Sequence, residues 1–330
     1  MGTRDLALGD RSLFYLNYKW MKKPEQWQIG AILVIGVLAV SSAAIFIRLS
    51  MGAAGLKGVD FSLFIAASRL ILSALILVPL WRNIKSDRAS GKAYYYAAAA
   101  GGCLALHFAS WITSLSFTSI AASTILVTTN PVWVAMLSWL WLKEKPKKLV
   151  IIGIGVAFLG GIFIAIADKN VVGVNANPLL GDLLALTGAW MASLYLLLGR
   201  QAQAKGLGIG QYIVIAYSTA AIVLFPLPWI FGSGYVGYPY LVYAYVLLMA
   251  IFSQLIGHTS FNWSVRWVSP TIVTLALLFE PVCSSVFGFL VFEEIPSLLV
   301  LVGGVGILLG VAIAIIGQNR VVESRNIEQP

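Results

Sequence analysis

Two stretches that begin 150 residues apart decide the fold of this chain. The first, Ser119 to Pro131, reads SIAASTILVTTNP, and the second, Ser269 to Pro281, reads SPTIVTLALLFEP. Overlaid without a gap, they match in their first serine, a central threonine and the final proline. Both continue as apolar runs that end near a glutamate and a second proline, at Glu144 and Pro146 and at Glu294 and Pro296. Because prolines interrupt helices, we interpret the repeat as a repeated backbone shape.

The composition indicates an integral membrane protein. Of 330 residues, 59% are hydrophobic and 11% are charged, and the mean hydropathy is +0.88, far from the values of soluble domains. A helix needs about 20 apolar residues to cross the bilayer, where its backbone must be bonded internally. Ten runs satisfy this length and predict an all-α fold of ten transmembrane spans, at residues 28–49, 60–80, 94–114, 119–142, 149–167, 180–199, 210–230, 240–262, 269–292 and 298–317.

The runs divide the chain into two halves joined by one polar linker. We predict five segments: a cytoplasmic N-terminal segment 1–27, a five-helix repeat 28–167, an extracytoplasmic linker 168–179, a second five-helix repeat 180–317 and a cytoplasmic tail 318–330. Matches at the same offset extend through each half, as for Ser68 with Ser218 and Gly153 with Gly303. Because five spans is an odd number, the second repeat enters from the opposite side, which predicts inverted-topology repeats around a central cavity.

We interpret the net charge of +9 as a signal that orients the protein in the membrane. All but four of the 22 lysines and arginines fall in segments that share one side of the membrane. Short loops rich in these residues stay in the cytoplasm, so both termini are predicted to be cytoplasmic in a multi-pass protein of the cytoplasmic (plasma or inner) membrane. We therefore expect the lipid bilayer as a partner and do not expect nucleic acid.

Two charged residues lie deep within predicted spans, Arg69 in span 2 and Glu280 in span 9. Charges at that depth are costly and usually face a partner or a water-filled cavity. The repeat aligns Arg69 with Thr219 and Glu280 with Asn130. A cavity between the halves would then have a basic and an acidic pole, as suits a zwitterionic solute. The alternative is that Arg69 and Glu280 pair with each other and have only a structural role.

The prolines at 131 and 281 each free a carbonyl group four residues earlier, on Val127 and Leu277. Such carbonyls are tolerated within a membrane only where they are buried in protein or line a cavity. The kinks at Pro131 and Pro281 are therefore candidate hinges and Asn130 is a candidate solute ligand. Simple bending of the helices is the other interpretation.

Histidine and tryptophan side chains complete the candidate site. Histidine side chains can titrate near neutral pH, so His107 and His258 are candidates for relaying a proton to Glu280. Trp111 and Trp190 are candidates for the wall of a solute cavity. For all four residues, ordinary helix packing is the competing explanation.

Signatures of soluble enzymes, cofactor sites and metal sites are missing from the sequence. The two cysteines, Cys103 and Cys283, lie within spans and suggest neither a disulfide nor a metal cluster. We predict no cofactor and no enzymatic activity, although Ser284 lies one turn from Glu280, the one arrangement that would suit an intramembrane enzyme. The spacing of Gly306 and Gly310 suits either a homodimer face or internal packing.

These motifs resemble the drug/metabolite transporter superfamily, and specifically its EamA-type permeases. The resemblance rests on Ser68-Arg69, Asn130-Pro131 and Glu280-Pro281, and covers about residues 28–317. It implies two halves around a central cavity and the export of small organic solutes such as amino acids. It also implies that Glu144 and Glu294 end helices and do not bind solute.

Together these inferences predict a secondary-active exporter of small polar or zwitterionic metabolites that works by alternating access, with a coupling proton as a further ligand. Arg69 would meet an anionic group, and Glu280 would meet a cationic group or the proton. A non-transporting membrane scaffold remains the alternative, followed by an intramembrane enzyme.

Overall fold

The computed structural model describes residues 24–56, 58–85, 89–114, 117, 123, 126–127, 129–143, 145–167, 177–293 and 298–327. Throughout these residues all regular structure is helical. Eleven main helices are α1 Gln26–Ala54, α2 Val59–Ile76, α3 Gly91–Ser114, α4 Asn130–Leu142, α5 Lys148–Ala167, α6 Pro178–Ala204, α7 Ile209–Leu224, α8 Tyr240–Ser264, α9 Pro270–Leu277, α10 Glu280–Phe292 and α11 Leu298–Ile327. A 3₁₀ helix, Val78–Asn83, follows α2, and a one-turn helix, Leu227–Ile230, follows α7.

Within the described residues, six helical segments are long and apolar enough to cross a membrane. They are α1, α2, α6, α8, the helix that runs from α7 to Ile230, and the α9–α10 segment. Shorter apolar helices occur at Lys148–Phe163 and Leu301–Ala314, and α3 is a continuous helix of 24 residues. The prediction of a multi-pass, all-α membrane protein is therefore confirmed. The N-terminal segment before residue 24, linker residues 168–176, most of 115–128, Glu144, Glu294 and Pro296 lie outside the described residues.

The helices expose apolar side chains outward and bury a central core. Val34 is 59% exposed, Ile222 73% and Leu301 57%, as a lipid-facing surface requires. The core is centred on α2, α3 and α7, where Leu70 and Leu104 are fully buried. The protein thus buries its polar side chains inside and presents hydrocarbon to the bilayer.

Glycines bring α5 and α11 into close contact. A methyl group at Gly153 would lie 2.5 Å from the carbonyl oxygen of Gly310, and one at Gly160 would lie 2.5 Å from that of Gly303. Residue numbers rise along α5 as they fall along α11, so the two helices are antiparallel. Because Gly153 matches Gly303 and Gly160 matches Gly310 in the repeat, the two contacts are equivalent. The small residues let the two backbones approach, as is usual in lipid.

The first helix of each half packs against the third span of the other half. In the α1–α8 pair, a methyl group at Gly36 would lie 2.8 Å from Cβ of Ser260. In the α6–α3 pair, one at Gly188 would lie 3.1 Å from Cβ of Trp111. The halves therefore interlock through two similar pairs of helices.

The predicted span 9 is two helices and not one. After α9 ends at Leu277, the amides of Leu278 and Phe279 bond to carbonyls only three residues back, and α10 then begins at Glu280. Pro281 occupies the first turn of α10, where its missing N–H costs least. The proline therefore separates two helices, which is a stronger break than the kink that we predicted.

The two repeated stretches end with the same unusual backbone conformation. Lys143 after α4 and Glu293 after α10, which match at the offset of 150, both have φ of 58°. A side chain in this left-handed region is uncommon, and it closes both helices in the same way. The repeat is therefore one of backbone shape at both helix ends.

Candidate functional site

The predicted site residues lie in two groups. Arg69, His107, Trp111 and His258 gather around Phe108, a buried side chain of α3. Asn130 and Glu280 lie at the starts of α4 and α10, where the prolines interrupt the helices. The structure therefore gathers Arg69, His107 and His258 around one ring, with Trp111 stacked on His107, and places Asn130 and Glu280 at equivalent positions of the two repeats.

Arg69 is 1% exposed and is held by neutral partners. Its Nη2 donates to Oε1 of Gln254 at 2.8 Å, and its Nη1 lies 3.8 Å from Sδ of Met249. The guanidinium carbon lies 3.8 Å from the ring centroid of Phe108, a cation–π contact that is strongest where water is excluded. The contacts of Arg69 are thus made with α8 and α3, and Glu280 is not among them.

Both histidines pack against aromatic rings. Nδ1 of His107 lies 2.9 Å from the carbonyl oxygen of Gly188, and because a carbonyl only accepts, this nitrogen carries the proton. The His107 ring stacks on Trp111, with centroids 5.9 Å apart and planes 9° from parallel. His258 makes an edge contact with Phe108 at 5.5 Å. His107 is buried, whereas His258 keeps partial exposure.

Glu280 is partly exposed although it lies in the middle of its span. Its backbone carbonyl lies 3.3 Å from the hydroxyl of Ser41, which also donates to the carbonyl of Val37 in its own helix at 2.7 Å. Ser284, one turn further along α10, donates to the carbonyl of Ser41 at 3.1 Å. The start of α10 is therefore anchored to α1 by two serines.

The site at Asn130 has a matching anchor. The hydroxyl of Ser193 in α6 lies 3.4 Å from the backbone carbonyl of Asn130, and it donates to Ala189 of its own helix at 2.8 Å. In the amide orientation that satisfies both side-chain atoms, Nδ2 of Asn130 donates to the carbonyls of Val127 at 3.1 Å and Ala189 at 2.8 Å. Val127 carries the carbonyl that Pro131 cannot bond, so the Asn130 side chain replaces the missing donor.

Tryptophans line the neighbourhood of Asn130. Trp133 makes an edge contact with Trp190 at 5.6 Å and donates its indole N–H to Oγ1 of Thr129 at 2.9 Å. Trp190 is 46% exposed, and Trp111 is partly buried with no hydrogen-bond partner for its own indole N–H. The Trp111 indole N–H is thus a buried donor without an acceptor among the described residues.

A buried polar layer of α6, α7 and α8 was missed by the sequence analysis. Asn262 donates to the hydroxyl of Tyr195 and lies 3.4 Å from that of Tyr217, while Gln203 donates to the Asn262 carbonyl at 2.8 Å. Gln254 and His258 belong to a π-helical segment, Ala250–His258, within α8. Such segments are rare and are frequent at functional sites. The only sequence signal was the presence of polar residues in apolar spans.

Several atoms of this layer have no hydrogen-bond partner. These are Nε of Arg69, Nε2 of Gln254, Oδ1 of Asn262, Oε1 of Gln203 and the hydroxyl of Tyr212. Unsatisfied buried polar atoms are unfavourable unless water or ligand reaches them. The layer therefore has unused hydrogen-bonding capacity next to Arg69.

A separate cavity of about 170 Å³ lies between α2, α8 and the loop that precedes α8. Its lining is apolar apart from Ser68 and two tyrosines, and it includes Phe64 and Ile71. Tyr235, whose pKa is raised to about 12 by burial, closes one side and donates to the carbonyl of Phe225 at 2.8 Å. This lining does not suit a polar solute.

The next two observations concern the glycine face of α11 and the placement of metal-ligating side chains. The face that carries Gly306 and Gly310 packs inside the protein, against Gly160 and Ala157, so the predicted use of this face for a homodimer is not available. Among the described residues no group of three or more histidine, cysteine, aspartate or glutamate side chains is placed to hold a metal ion.

Comparison with known proteins identifies the architecture. The EamA-like transporter family matches the chain twice, over residues 28–166 and 179–316. The chain belongs to that family. The two matches show the two-repeat architecture of the family.

Relatives of this EamA-type chain are described as transporters. An uncharacterized transporter of Archaeoglobus fulgidus is 22% identical over 288 residues, which cover 85% of this chain and 94% of that protein. One from Clostridium kluyveri is 27% identical over 253 residues, covering 73% and 79%. A solved crystal structure has a TM-score of 0.70 over 89% of this chain and 99% of its own, at 14% identity, which shows the shared fold. The chain is therefore an EamA-type multi-pass membrane transporter.

Proposed function

We propose that this EamA-type transporter is a secondary-active permease that exports small polar or zwitterionic metabolites, such as amino acids, by alternating access. The observation that carries the proposal is Glu280, which is partly exposed in the middle of a membrane span. A carboxyl group exposed to lipid at that depth would be strongly unfavourable, so it must face a water-filled space or a ligand. A solute cavity between the two halves meets that requirement.

The proposed cavity is lined by the residues that combine partial exposure with hydrogen-bonding groups. Glu280 would meet a cationic group or a coupling proton, and Asn130, His258 and the indole N–H of Trp111 would offer neutral hydrogen bonds. Trp190 would form an apolar wall, and His107 would hold Trp111 by stacking.

Unlike the residues that line the proposed cavity, Arg69 is proposed to act at first through its charge and not through direct contact. Its guanidinium is covered by Phe108, so direct contact with an anionic group requires the Phe108 ring to move. Until then Arg69 supplies a positive charge that draws an anionic group toward the buried polar layer, where unsatisfied donors are available. This accounts for a buried cation whose hydrogen-bond and ring contacts are all with neutral side chains.

Alternating access would use the two proline breaks as hinges. We propose inverted-topology repeats, supported by the antiparallel contacts of Gly153 with Gly310 and of Gly160 with Gly303. The distribution of lysine and arginine supports cytoplasmic termini. A homodimer, if formed, would use a surface other than the glycine face of α11.

The two alternative functions, an intramembrane enzyme and a non-transporting scaffold, have less support. An intramembrane enzyme would need a serine activated by Glu280, but the hydroxyl of Ser284 donates to a backbone carbonyl of α1. A packed scaffold would bring Arg69 and Glu280 together, whereas the contacts of Arg69 lead to Gln254, Met249 and Phe108.

The test begins with a thermal-shift screen of purified protein against amino acids, amines, purines and sugar phosphates. A ligand that binds only the folded state raises the apparent stability by RT ln(1 + [L]/Kd). We expect zwitterions to give the largest shifts, and we expect the shifts to disappear in Trp111→Phe, which removes the free N–H. Solutes that give shifts are then followed in proteoliposomes as Glu280→Gln is compared with the unaltered protein. Unchanged transport rate and pH dependence in Glu280→Gln would disprove the role proposed for this residue.

A further inference from the structure

We infer that the break at Glu280 and Pro281 is a proton-binding site at which protonated Glu280 donates to one free backbone carbonyl, where the Asn130 amide of the other repeat donates to two. The inference rests on the proposed proton coupling and deepens it, since it assigns a structural effect to the proton. It follows from a comparison of the two breaks, atom by atom.

The two breaks are anchored by equivalent contacts. Ser41 of α1 approaches the backbone carbonyl of Glu280 at 3.3 Å, and Ser193 of α6 approaches that of Asn130 at 3.4 Å. Each serine also donates to the carbonyl four residues before it in its own helix. Gly36 and Gly188, five residues before the two serines, mark the close contacts of α1 and α6 with the opposite repeat. The environments of the two breaks therefore correspond in sequence and in space.

At the first break, two carbonyl groups receive hydrogen bonds from one side chain. Nδ2 of Asn130 lies 3.1 Å from the carbonyl oxygen of Val127 and 2.8 Å from that of Ala189. The first carbonyl is freed by Pro131, and the second belongs to α6 and also accepts from Ser193. An NH₂ group has two hydrogens, so it satisfies both carbonyls at once.

At the second break, the corresponding carbonyls belong to Leu277 and Val37. Leu277 precedes Pro281 by four residues, so its carbonyl lacks the usual N–H. Val37 accepts from Ser41 just as Ala189 accepts from Ser193. The side chain available to cap these two carbonyls is Glu280.

An ionised carboxylate only accepts hydrogen bonds and is repelled by carbonyl oxygens, whereas a carboxylic acid donates one. Glu280 can therefore supply one of the two hydrogen bonds of the Asn130 cap, and only after it binds a proton. In this proposal the proton reaches the carboxyl group from the cavity between the two halves. A cationic group of a solute would compete with the proton for the same carboxylate.

The charged and titratable groups that face Glu280 are Arg69 of α2 and Cys283 of its own helix. On the α1 side it faces the hydroxyl of Ser41.

The test compares the pH dependence of thermal unfolding of purified protein in detergent for four proteins: unaltered, Glu280→Gln, Asn130→Asp and the double variant. Glutamine keeps the shape of glutamate and donates at every pH. We expect the unaltered protein to lose about 2–4 °C of Tm between acidic and alkaline pH beyond the loss in Glu280→Gln, since one cap is lost. We expect the double variant to regain a pH-dependent Tm, because the proton site has moved to the first break.

Infrared difference spectra between acidic and alkaline pH provide a second readout that does not depend on stability. The C=O band of a carboxylic acid should appear at acidic pH in the unaltered protein and be lost in Glu280→Gln. The inference is wrong if Glu280→Gln keeps the full pH dependence of Tm and the acid band. It is also wrong if sodium chloride, compared with choline chloride at alkaline pH, restores the lost stability, because the ligand would then be a metal cation.

Neither readout involves transport. A protein that shows the titration but moves no solute would refute the proposed function and leave this inference standing. A protein that moves solute but shows neither the pH-dependent Tm nor the acid band would refute this inference and leave the proposed function standing.

Discussion

Arg69 and Glu280, the two charges in the middle of membrane spans, are accommodated in opposite ways. Arg69 is 1% exposed and its guanidinium is surrounded by Gln254, Met249 and Phe108. Glu280 is partly exposed and only its backbone carbonyl is held, by Ser41. Intramembrane depth alone therefore does not assign a role to a charged residue. One charge is integrated into the packing of three helices, whereas the other lies at a break between two helices.

The largest difference between the two charges is expected in the access of water to their surroundings. In a background without Cys103 and Cys283, we expect Ser284→Cys to react with a small hydrophilic thiol reagent and Ser73→Cys to remain unreacted. Each serine lies one turn from its charge, at Glu280 or Arg69, but Ser284 is partly exposed whereas Ser73 is fully buried. The labelled fraction is measured by mass spectrometry. Equal labelling of the two variants would show that the two charges do not differ in access.

The next largest effect is expected for Arg69→Ala. Removing this side chain leaves a void beside Phe108 and an unpaired Gln254, so we expect a loss of about 2–5 kcal/mol in the free energy of unfolding. Equilibrium unfolding in mixed micelles measures the loss. The matched control is Arg48→Ala, since Arg48 is exposed and lies over the ring of Phe292 at 4.2 Å. We expect a change of at most about 1 kcal/mol there, and a similar loss in both variants would contradict the structural role of Arg69.

A smaller effect is expected for Asn130→Ala. The variant removes the side-chain donor to the Val127 carbonyl and one of the two side-chain donors to the Ala189 carbonyl, and we expect a loss of about 1–3 kcal/mol in the same measurement. Asn83→Ala, at an exposed position, is the control, with an expected change within about 0.5 kcal/mol. If both variants were equally stable, the amide of Asn130 would not be capping its break.

The smallest effects are expected for Ser41→Ala and Ser193→Ala, and they should equal each other because the contacts correspond. Each loses an anchoring hydroxyl, worth about 0.5–1.5 kcal/mol. Hydrogen exchange should become faster after Ser41→Ala at the start of α10 and after Ser193→Ala at the start of α4. In Ser264→Ala, whose hydroxyl donates only within α8, exchange at both breaks should stay unchanged. A response of both breaks to a single serine variant would show that they are coupled and not independently anchored.

Much of the fold was predictable because lipid imposes a simple rule on the backbone. The need for internal hydrogen bonds turns long apolar runs into helices, so α1, α2 and α8 begin and end close to the predicted positions. The repeated prolines marked the positions at which α4 and α10 begin. The π-helical segment and the division of span 9 into two helices went unpredicted, because local hydrogen-bond patterns depend on packing between helices.

The candidate site was predictable only in part. Arg69, Asn130 and Glu280 stand out as polar residues in apolar spans, and tertiary contacts bear out their unusual environments. Ser41 and Ser193 were not chosen, since serines are common in spans and carry no charge. Phe108 looks like any other core residue until its ring is found beneath a guanidinium.

The sequence by itself determined that this chain is an all-helical membrane protein made of two similar halves, and where proline interrupts each half. Those features depend on local chemistry: apolar length, missing N–H groups and the position of charge. The neutral side chains around the Arg69 guanidinium and the partial exposure of Glu280 depend on tertiary contacts and are visible only in the structure. Which helix faces each charge depends on the interlocking of α1 with α8 and of α3 with α6, and close packing between residues distant in sequence fixes that arrangement.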